Sequence, residues 1–217
     1  MPKAGIDSKH GFDTQYLFID GLSRSGKGGI APIVTSLTRV EHHRQNFNFD
    51  RIFPLYESGH LSFEGMRYFL ESDLLLDSWN MLIGRNLNMN KHDISSVENS
   101  FDPLLYRSRL QMKDTPETFM EIKQIMKEQN IIFTYVTEDV FPLSVDHPEL
   151  FSNMKQLVVM RHPIEVIFSW HRSKRGSRFG NDQRMPHPSF SIDNISSVPS
   201  HLLDRYQEYG SETDLGR

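Results

Sequence analysis

The chain has 217 residues, 37% of them hydrophobic and 24% charged, which supplies the apolar surface of one globular domain and excludes a disordered tail. Its formal net charge of −4, from 24 basic and 28 acidic side chains, gives no overall attraction for nucleic acid or anionic lipid, so anion binding requires a local basic cluster. The sequence has no cysteine, which excludes disulfides, thiolate metal ligands and a cysteine nucleophile.

The amino-terminal residues contain no apolar run of the length that a signal peptide needs. No later stretch approaches the ~18 uncharged apolar residues of a membrane span. We therefore expect a single domain over residues 1–217 that binds no nucleic acid, crosses no membrane and, by default, resides in the cytoplasm.

The first half of the chain begins with a predicted strand at residues 16–20, a glycine-rich turn at 21–29 and a helix at 30–37. Apolar residues at three- and four-residue intervals then predict one or two amphipathic helices over 63–87. The polar stretch 86–108 indicates a loop that acts as a lid or insertion. Thr115 and Pro116 have the residue types of a helix N-cap and first helical position, so a helix is predicted to about residue 129.

Two short aliphatic runs in the second half, at 131–136 and 157–160, predict strands that helices cover on both faces. Pro163 starts a predicted helix to about residue 174, and a last helix is expected at about 200–209. Strands that alternate with helices predict an α/β fold in three layers, with a mainly parallel central sheet flanked by helices. The segment at about 60–128 would be a helical and loop insertion in it.

The glycine-rich turn has the composition of a phosphate-binding loop. Gly21, four further residues, Gly26 and Lys27 lie between a predicted strand and a predicted helix. Glycines let successive backbone N–H groups face one anion, while the helix N-terminus and the lysine supply positive charge. Gly28 stands where nucleoside triphosphatases have the Ser or Thr that binds magnesium, so the pattern favours an anion site without a metal. The alternative is an ordinary glycine-rich turn.

A second anion-binding pattern follows the predicted strand at 157–160. Arg161 stands at the end of the strand, Pro163 opens the helix, and Ser169 comes eight residues after the arginine. With a rise of ~1.5 Å per helical residue, Arg161 and Ser169 lie within reach of one phosphate group.

These two elements together resemble the nucleotide-binding motifs of sulfotransferases. In that family a strand ends in Arg-x-Pro and a serine eight positions after the arginine helps to bind the 3′-phosphate. The 5′-phosphosulfate loop is a basic residue followed by Ser-Gly and then usually Thr. Here Arg24 takes the place of the usual lysine, and Lys27 and Gly28 take the hydroxyl positions. The resemblance implies that the donor nucleotide contacts eight residues: Arg24, Ser25, Gly26, Lys27, Gly28, Gly29, Arg161 and Ser169.

The resemblance further implies a P-loop-like fold and transfer of a sulfuryl group from 3′-phosphoadenylyl sulfate, with no metal. The acceptor would be an unidentified carbohydrate, lipid, peptide or small metabolite. Arg24 and Lys27 would neutralise the departing nucleotide, and Glu138, after the strand at 131–136, would be the general base. The other interpretation of Glu138 is a solvated loop carboxylate. Asp139 follows it at the same edge of the sheet.

Sulfotransferases also have, after the helix that would include Tyr206, a strand with a Tyr-Glu-Asp-like end and a glycine-rich loop over the nucleotide. These 217 residues hold no such segment, so the resemblance implies a C-terminally truncated sequence or a reduced member of the family. Two other functions remain open: a small-molecule or nucleotide kinase, and a nucleotide- or glycan-binding module without activity.

The histidines also raise the question of a metal site. His42 and His43 are adjacent, and adjacent side chains on a strand point to opposite faces of the sheet. The sequence has no helical pair of histidines at metal-binding spacing, so no metal is predicted.

Overall fold

The computed structural model describes residues 14–138, 140–151, 154–174, 189–198 and 200–211. Its strands are β1 (Gln15–Asp20), β2 (Arg44–Gln45), β3 (Ile132–Val136), β4 (Met154–Val158), β5 (Phe190–Ile192) and β6 (Ile195–Val198). Its helices are α1 (Lys27–Val34), α2 (Phe49–Glu57), α3 (Phe63–Leu82), α4 (Pro103–Arg109), α5 (Pro116–Gln129), α6 (Val140–Asp146), α7 (Pro163–Ser173) and α8 (Tyr206–Ser211).

The first four strands form one sheet in the order β2-β3-β1-β4, and every pair in it is parallel. Strand β1 is central, with Phe18 opposite Tyr135 of β3 on one side and Gln156 of β4 on the other. The prediction of an α/β fold with a parallel central sheet is therefore confirmed. Strands β5 and β6 form a separate antiparallel pair.

The largest apolar core lies where β1 and β3 meet α2 and α3. Phe18 is fully buried, and its ring meets that of Phe49 edge to face with 5.5 Å between centroids. Tyr135 meets Phe49 in the same way at 5.4 Å. Met66 and Leu70 of α3 belong to the same buried cluster. Edge-to-face rings add attraction to the burial of their area, so this contact fixes α2 against the sheet.

Helices α3 and α5 begin where the sequence predicts them to begin. The segment predicted as one or two helices is the single helix α3, with Ser62 as N-cap accepting a hydrogen bond from the Gly65 N–H. Helix α5 begins as predicted, because the Thr115 hydroxyl accepts a hydrogen bond from the Thr118 N–H. It ends at Gln129, where Asn130 adopts a left-handed backbone conformation.

Helix α4 lies within the polar stretch that was predicted to be a loop. It begins with Asp102, whose carboxylate caps the Leu105 N–H, and Pro103 as first helical residue. Its last residue, Arg109, forms a buried ion pair with Glu41 at 2.7 Å, and Tyr106 donates a hydrogen bond to the same carboxylate at 2.8 Å. Burial, with the Glu41 charge adding to it, raises the pKa of Tyr106. These contacts hold α4 against the segment before β2.

Three predicted elements have shifted boundaries. Helix α1 begins three residues before the predicted start, directly at Lys27, and ends before Thr35. The predicted helix at 200–209 is a 3-10 segment at Ser200–Arg205 followed by α8. Strand β4 begins and ends earlier than the predicted 157–160.

The prediction that helices cover both faces of the second strand is wrong for β4. Lys155 and Leu157 are exposed, and Met160, just beyond the strand, is 88% exposed. Among the described residues β4 pairs with β1 alone, so it is an edge strand whose side chains meet fewer neighbours than those of β3. Within the described ranges, no helix combines the length and the apolar composition of a membrane span.

Candidate functional site

The loop between β1 and α1 has a path that only glycine permits at its first position. Gly21 has φ +132°, and a Cβ there would lie 2.3 Å from the Val159 carbonyl oxygen. The chain then closes a turn in which the Ser25 N–H donates to the Leu22 carbonyl at 3.1 Å. Gly26, with φ +109°, leads directly into α1. The loop therefore turns the chain sharply at the carboxyl end of β1.

Helix α7 and the residues before it contact this loop at three points. The Trp170 indole N–H donates to the Ser23 carbonyl at 2.8 Å. Arg24 Nε donates to Ser169 Oγ at 3.0 Å, and Arg161 Nη1 lies 3.5 Å from the Arg24 carbonyl. The two anion-binding patterns, with Arg24 and Arg161 137 residues apart, thus meet in one place.

Arg161 is half exposed just beyond β4 and is bonded to its own helix as well. Its Nε lies 2.6 Å from Glu165 Oε2, one helical turn further along. The hydrogen bond and the charge of Arg161 lower the pKa of Glu165. An anion that binds to Arg161 would therefore compete with an exposed carboxylate for the same guanidinium.

Lys27 is buried at the start of α1, and its Nζ donates a hydrogen bond to the Gly21 carbonyl. Its backbone and that of Gly28 are the first in α1, where a helix offers no acceptor to its N–H groups. These N–H groups and the helix dipole attract an anion. Ser25 is buried next to them, and its hydroxyl has no hydrogen-bond partner among the described residues.

Gly28 lies close to the side chain of Ile94. A Cβ there would lie 3.1 Å from Cδ1 of Ile94, so a larger side chain would crowd this isoleucine. Ile94 is carried by the loop at 88–99, which is held by hydrogen bonds from Asn88 to Ser95 at 2.9 Å and from Asn99 to the Asp93 carbonyl at 2.9 Å. The stretch predicted as a lid or insertion thus lies beside the glycine-rich loop.

Glu138 lies at the carboxyl end of β3, half-buried and next to Asp50 of α2. Its N–H donates to Asp50 Oδ1 at 3.2 Å, and Asp50 is buried. Both carboxylates therefore belong to the same edge of the sheet as the glycine-rich loop. Asp139, the other acidic residue noted here, lies outside the described residues.

These elements enclose a cleft of about 520 Å³ at the carboxyl ends of the strands. Most of the predicted site residues line it: Arg24, Gly26, Lys27, Gly28, Gly29, Glu138 and Arg161. Ser169 reaches the site through its hydrogen bond to Arg24, and Ser25 lies within the loop without lining the cleft. Residues not predicted for the site also line the cleft: His43, Gln45, Phe47, Asp50 and Ile94.

Asp20, the last residue of β1, was not predicted to belong to the site. Its buried carboxylate accepts hydrogen bonds from Thr137 Oγ1 at 2.8 Å and from the Phe141 N–H at 2.6 Å. It thereby joins the ends of β1 and β3 to the start of α6. A polar residue between an apolar strand and Gly21 was the only signal for it in the sequence.

His42 and His43 are both buried, and their ring centroids are only 4.5 Å apart. The expectation that they point to opposite faces of a strand is wrong, because residues 41–43 precede β2 and lie outside any strand. Burial, with the adjacent His42 adding to it and Asp93 partly opposing it, lowers the pKa of His43 to about 4. Both His43 ring nitrogens lack a hydrogen-bond partner among the described residues.

No group of three His, Asp or Glu side chains within the described ranges is arranged to hold a metal ion. Five charged residues line the cleft: Arg24, Lys27, Asp50, Glu138 and Arg161. Comparison of the chain with family models, curated proteins and solved structures gave no significant match.

Proposed function

We propose that this protein transfers a sulfuryl group from 3′-phosphoadenylyl sulfate to a hydroxyl or amine, on a three-layer P-loop-like fold. The observation that carries the proposal is the meeting of two anion-binding elements from distant parts of the chain. Arg24 and Ser169 are hydrogen-bonded at 3.0 Å, and Arg161 approaches the same loop. A nucleotide with phosphates at both its 5′ and 3′ positions needs two such elements in one cleft.

The order of the strands supports a nucleotide site at this edge. From β1 the chain passes over β3 to reach β2, whereas from β3 it passes over β1 to reach β4. In open parallel sheets, ligands bind at the carboxyl ends of strands where the connections diverge to opposite sides. The glycine-rich loop leaves β1 at that point.

The proposed chemistry assigns a role to the start of α1 and to five of the predicted side chains. The first N–H groups of α1, with Arg24 and Lys27, would neutralise the charge that develops on the nucleotide as the sulfuryl group leaves. Arg161 and Ser169 would bind the 3′-phosphate. Glu138 is the predicted proton acceptor for the second substrate.

The competing functions predict different ligands. A kinase of this fold would need a magnesium ligand where Gly28 stands, and glycine has no side chain to supply one. A binding module without activity would take up the nucleotide but leave the sulfuryl group on it.

Calorimetry with the 217-residue protein separates these functions. We expect adenosine 3′,5′-bisphosphate to bind without magnesium and more tightly than ATP with magnesium. Transfer of ³⁵S from labelled 3′-phosphoadenylyl sulfate to a mixed panel of carbohydrates, phenols, alcohols and peptides then distinguishes an enzyme from a binding module. Tight, magnesium-dependent binding of ATP with none of the bisphosphate would refute the proposal.

Replacing Arg161 by alanine tests the 3′-phosphate assignment. A charge-assisted hydrogen bond contributes ~1.5–3 kcal/mol. R161A should therefore lower the affinity for the bisphosphate by about tenfold or more, and it should leave the affinity for AMP, which has a 3′-hydroxyl, nearly unchanged. Ser169→Ala should also lower the affinity for the bisphosphate, but by a smaller factor. Calorimetry measures the affinity of each variant for both nucleotides.

Arg67 provides a matched control for this test. It is an equally exposed arginine that forms an ion pair with Glu71 one turn further along α3, just as Arg161 does with Glu165 on α7. R67A should leave the affinities for both nucleotides unchanged. If R161A lost affinity for the bisphosphate and for AMP equally, Arg161 would stabilise the fold and would not bind the 3′-phosphate.

A further inference from the structure

A second cavity lies at the edge of the sheet opposite the glycine-rich loop, where β3 begins. It encloses about 500 Å³, a volume within the range of small-molecule sites. Its walls come from the segment between α1 and β2, from α4 and the residues before it, from α5 and from Ile131, directly before β3. No described residue lines both this cavity and the cleft at the carboxyl ends of the strands, so the two are separate sites.

The walls of this cavity are mainly apolar. Leu82, Ile122 and Ile131 line it and are buried. Leu37 and Leu105 line it too, yet they remain 61% and 42% exposed. Covering exposed apolar surface removes it from contact with water and favours binding, so these walls suit a molecule with an apolar body.

Arg109 is a buried cation in the wall whose hydrogen-bonding capacity is not used up. Its side chain is 10% exposed. Its Nη1 and Nη2 donate to the two carboxylate oxygens of Glu41 at 2.8 and 2.7 Å, and Nη1 lies 3.5 Å from the Met81 carbonyl. Nε has no acceptor among the described residues and remains accessible to solvent. The Nε–H and the neighbouring N–H of Nη2 form one edge of the guanidinium, which can donate to a ligand oxygen.

The charges around this cavity favour an uncharged ligand. Arg39 and Asp102 also line it, so two guanidinium groups and two carboxylates give it no net charge. His42 lines it as well, but its Nε2 is closed off from solvent. A ligand carboxylate on Arg109 would lie close to the carboxylate of Glu41 and be repelled by it. A carbonyl oxygen would accept from the same N–H groups without adding charge.

We propose that this cavity binds an uncharged molecule with a ring-sized apolar body and a carbonyl oxygen, which accepts hydrogen bonds from the free edge of Arg109. The apolar body lies against Leu105 of α4 and Ile122 of α5. Binding is reversible and forms no covalent bond. The site lies at the opposite edge of the sheet from the glycine-rich loop, so it does not depend on the function proposed for the cleft.

The binding test uses 2-acetonaphthone, a naphthalene ring with a methyl ketone. Two analogues keep the ring: 2-isopropenylnaphthalene has a CH₂ group in place of the carbonyl oxygen, and 2-naphthoate has a carboxylate. Titration followed by NMR should show that each analogue binds at least fivefold more weakly than the ketone. Adenosine 3′,5′-bisphosphate at saturation should leave the affinity for the ketone unchanged.

Two adjacent leucines of α4 provide a variant and its matched control. Leu105→Ala removes part of the wall and should lower the affinity for the ketone by about tenfold. Leu104 is more exposed than Leu105, at 72%, and does not line the cavity. Leu104→Ala should therefore leave the affinity for the ketone unchanged.

NMR of the wild-type chain determines where the ketone binds. The ketone should shift the Nε–H signal of Arg109 and the methyl signals of Ile122 and Ile131, and it should leave Ile94 of the cleft unchanged. The isopropenyl analogue should shift the methyl signals but not the Nε–H signal. Arg109→Lys keeps the charge beside Glu41 without the guanidinium edge, and should lower the affinity for the ketone at least fivefold. The wild-type spectra decide the matter even if this variant does not fold.

Five results would overturn this inference. These are no binding of the ketone, equal binding of the isopropenyl analogue with an unchanged Arg109 Nε–H signal, tighter binding of 2-naphthoate than of the ketone, equal losses in Leu104→Ala and Leu105→Ala, or competition between the ketone and the bisphosphate. None of them concerns whether the bisphosphate itself binds, so the proposed function is tested separately.

Discussion

Gly21 decides the direction of the glycine-rich loop because its missing side chain leaves room for the Val159 carbonyl. We expect Gly21→Ala to lower the free energy of unfolding by more than about 2 kcal/mol, since it combines backbone strain with a clash against main-chain atoms. Gly59→Ala is the control, because Gly59 also has positive φ, +75°, but a Cβ added there would have no atom within 4 Å. Gly59→Ala should lower the free energy of unfolding by only ~1 kcal/mol. Urea unfolding of both variants checks this, and equal losses would contradict it.

The residues of the site differ in how far the sequence could predict them. The spacing of Arg161 and Ser169 is local, so a strand, a proline and a helical rise were enough to place them near one phosphate. Asp20 and His43 act through burial and through neighbours from distant segments. No local pattern reports burial, and the rule for adjacent histidines assumed a strand that does not extend to them.

Helix α7 serves as a support for the glycine-rich loop, through the hydrogen bond from the Trp170 indole to Ser23. Trp170→Phe keeps an aromatic ring but removes the indole N–H, so the loop loses its hydrogen bond to α7. We expect about threefold to tenfold weaker binding of the bisphosphate and of AMP alike, in contrast to Arg161→Ala. Calorimetry with both nucleotides measures this.

The chain's other tryptophan provides the control for that variant. Trp79 of α3 packs against Phe119 of α5, with 5.3 Å between ring centroids, and does not line the cleft. Trp79→Phe should leave both affinities unchanged. A loss confined to the bisphosphate in Trp170→Phe would show that the indole supports the 3′-phosphate site and not the loop.

The elements themselves were predictable where their ends carry strong local signals. Thr115 with Pro116 marks the start of α5. Asp102 with Pro103 carries the same kind of signal for α4, but the polar residues around it favour a loop. The extent of β4 differs from the prediction. The apolar run 157–160 favours a covered strand, whereas β4 is Met154–Val158 and includes Lys155 and Gln156, and its exposure depends on which strands pair with it.

At the scale of the whole molecule, the buried histidine couples stability to pH. The folded protein holds the pKa of His43 at about 4, below the ~6.5 of an unfolded histidine, so the unfolded chain takes up a proton first as the pH falls. The stabilisation that comes from the neutral His43 ring is therefore complete above about pH 6.5, and it is lost as the pH falls from there to pH 4. Between pH 7 and pH 5 this group alone should remove about 2 kcal/mol from the free energy of unfolding.

Urea unfolding at the two pH values tests this coupling. The wild-type protein should lose about 2 kcal/mol more between pH 7 and pH 5 than H43Q, which has no ring to protonate. Carboxylates contribute equally to both proteins and cancel in the comparison. The same pH dependence in both would show that His43 is not the group responsible.

The parallel sheet also determines when the molecule can fold. Its central strand is the first one in the chain, and the bond from Thr137 to Asp20 that joins β1 to β3 spans 117 residues. Contacts that close such long loops form late and slow the folding rate. During synthesis β1 cannot pair with β3, which lies opposite Phe18 and Ile19, until β3 has left the ribosome. Helices α2 and α3, adjacent in sequence and in space, can form a local nucleus in the meantime.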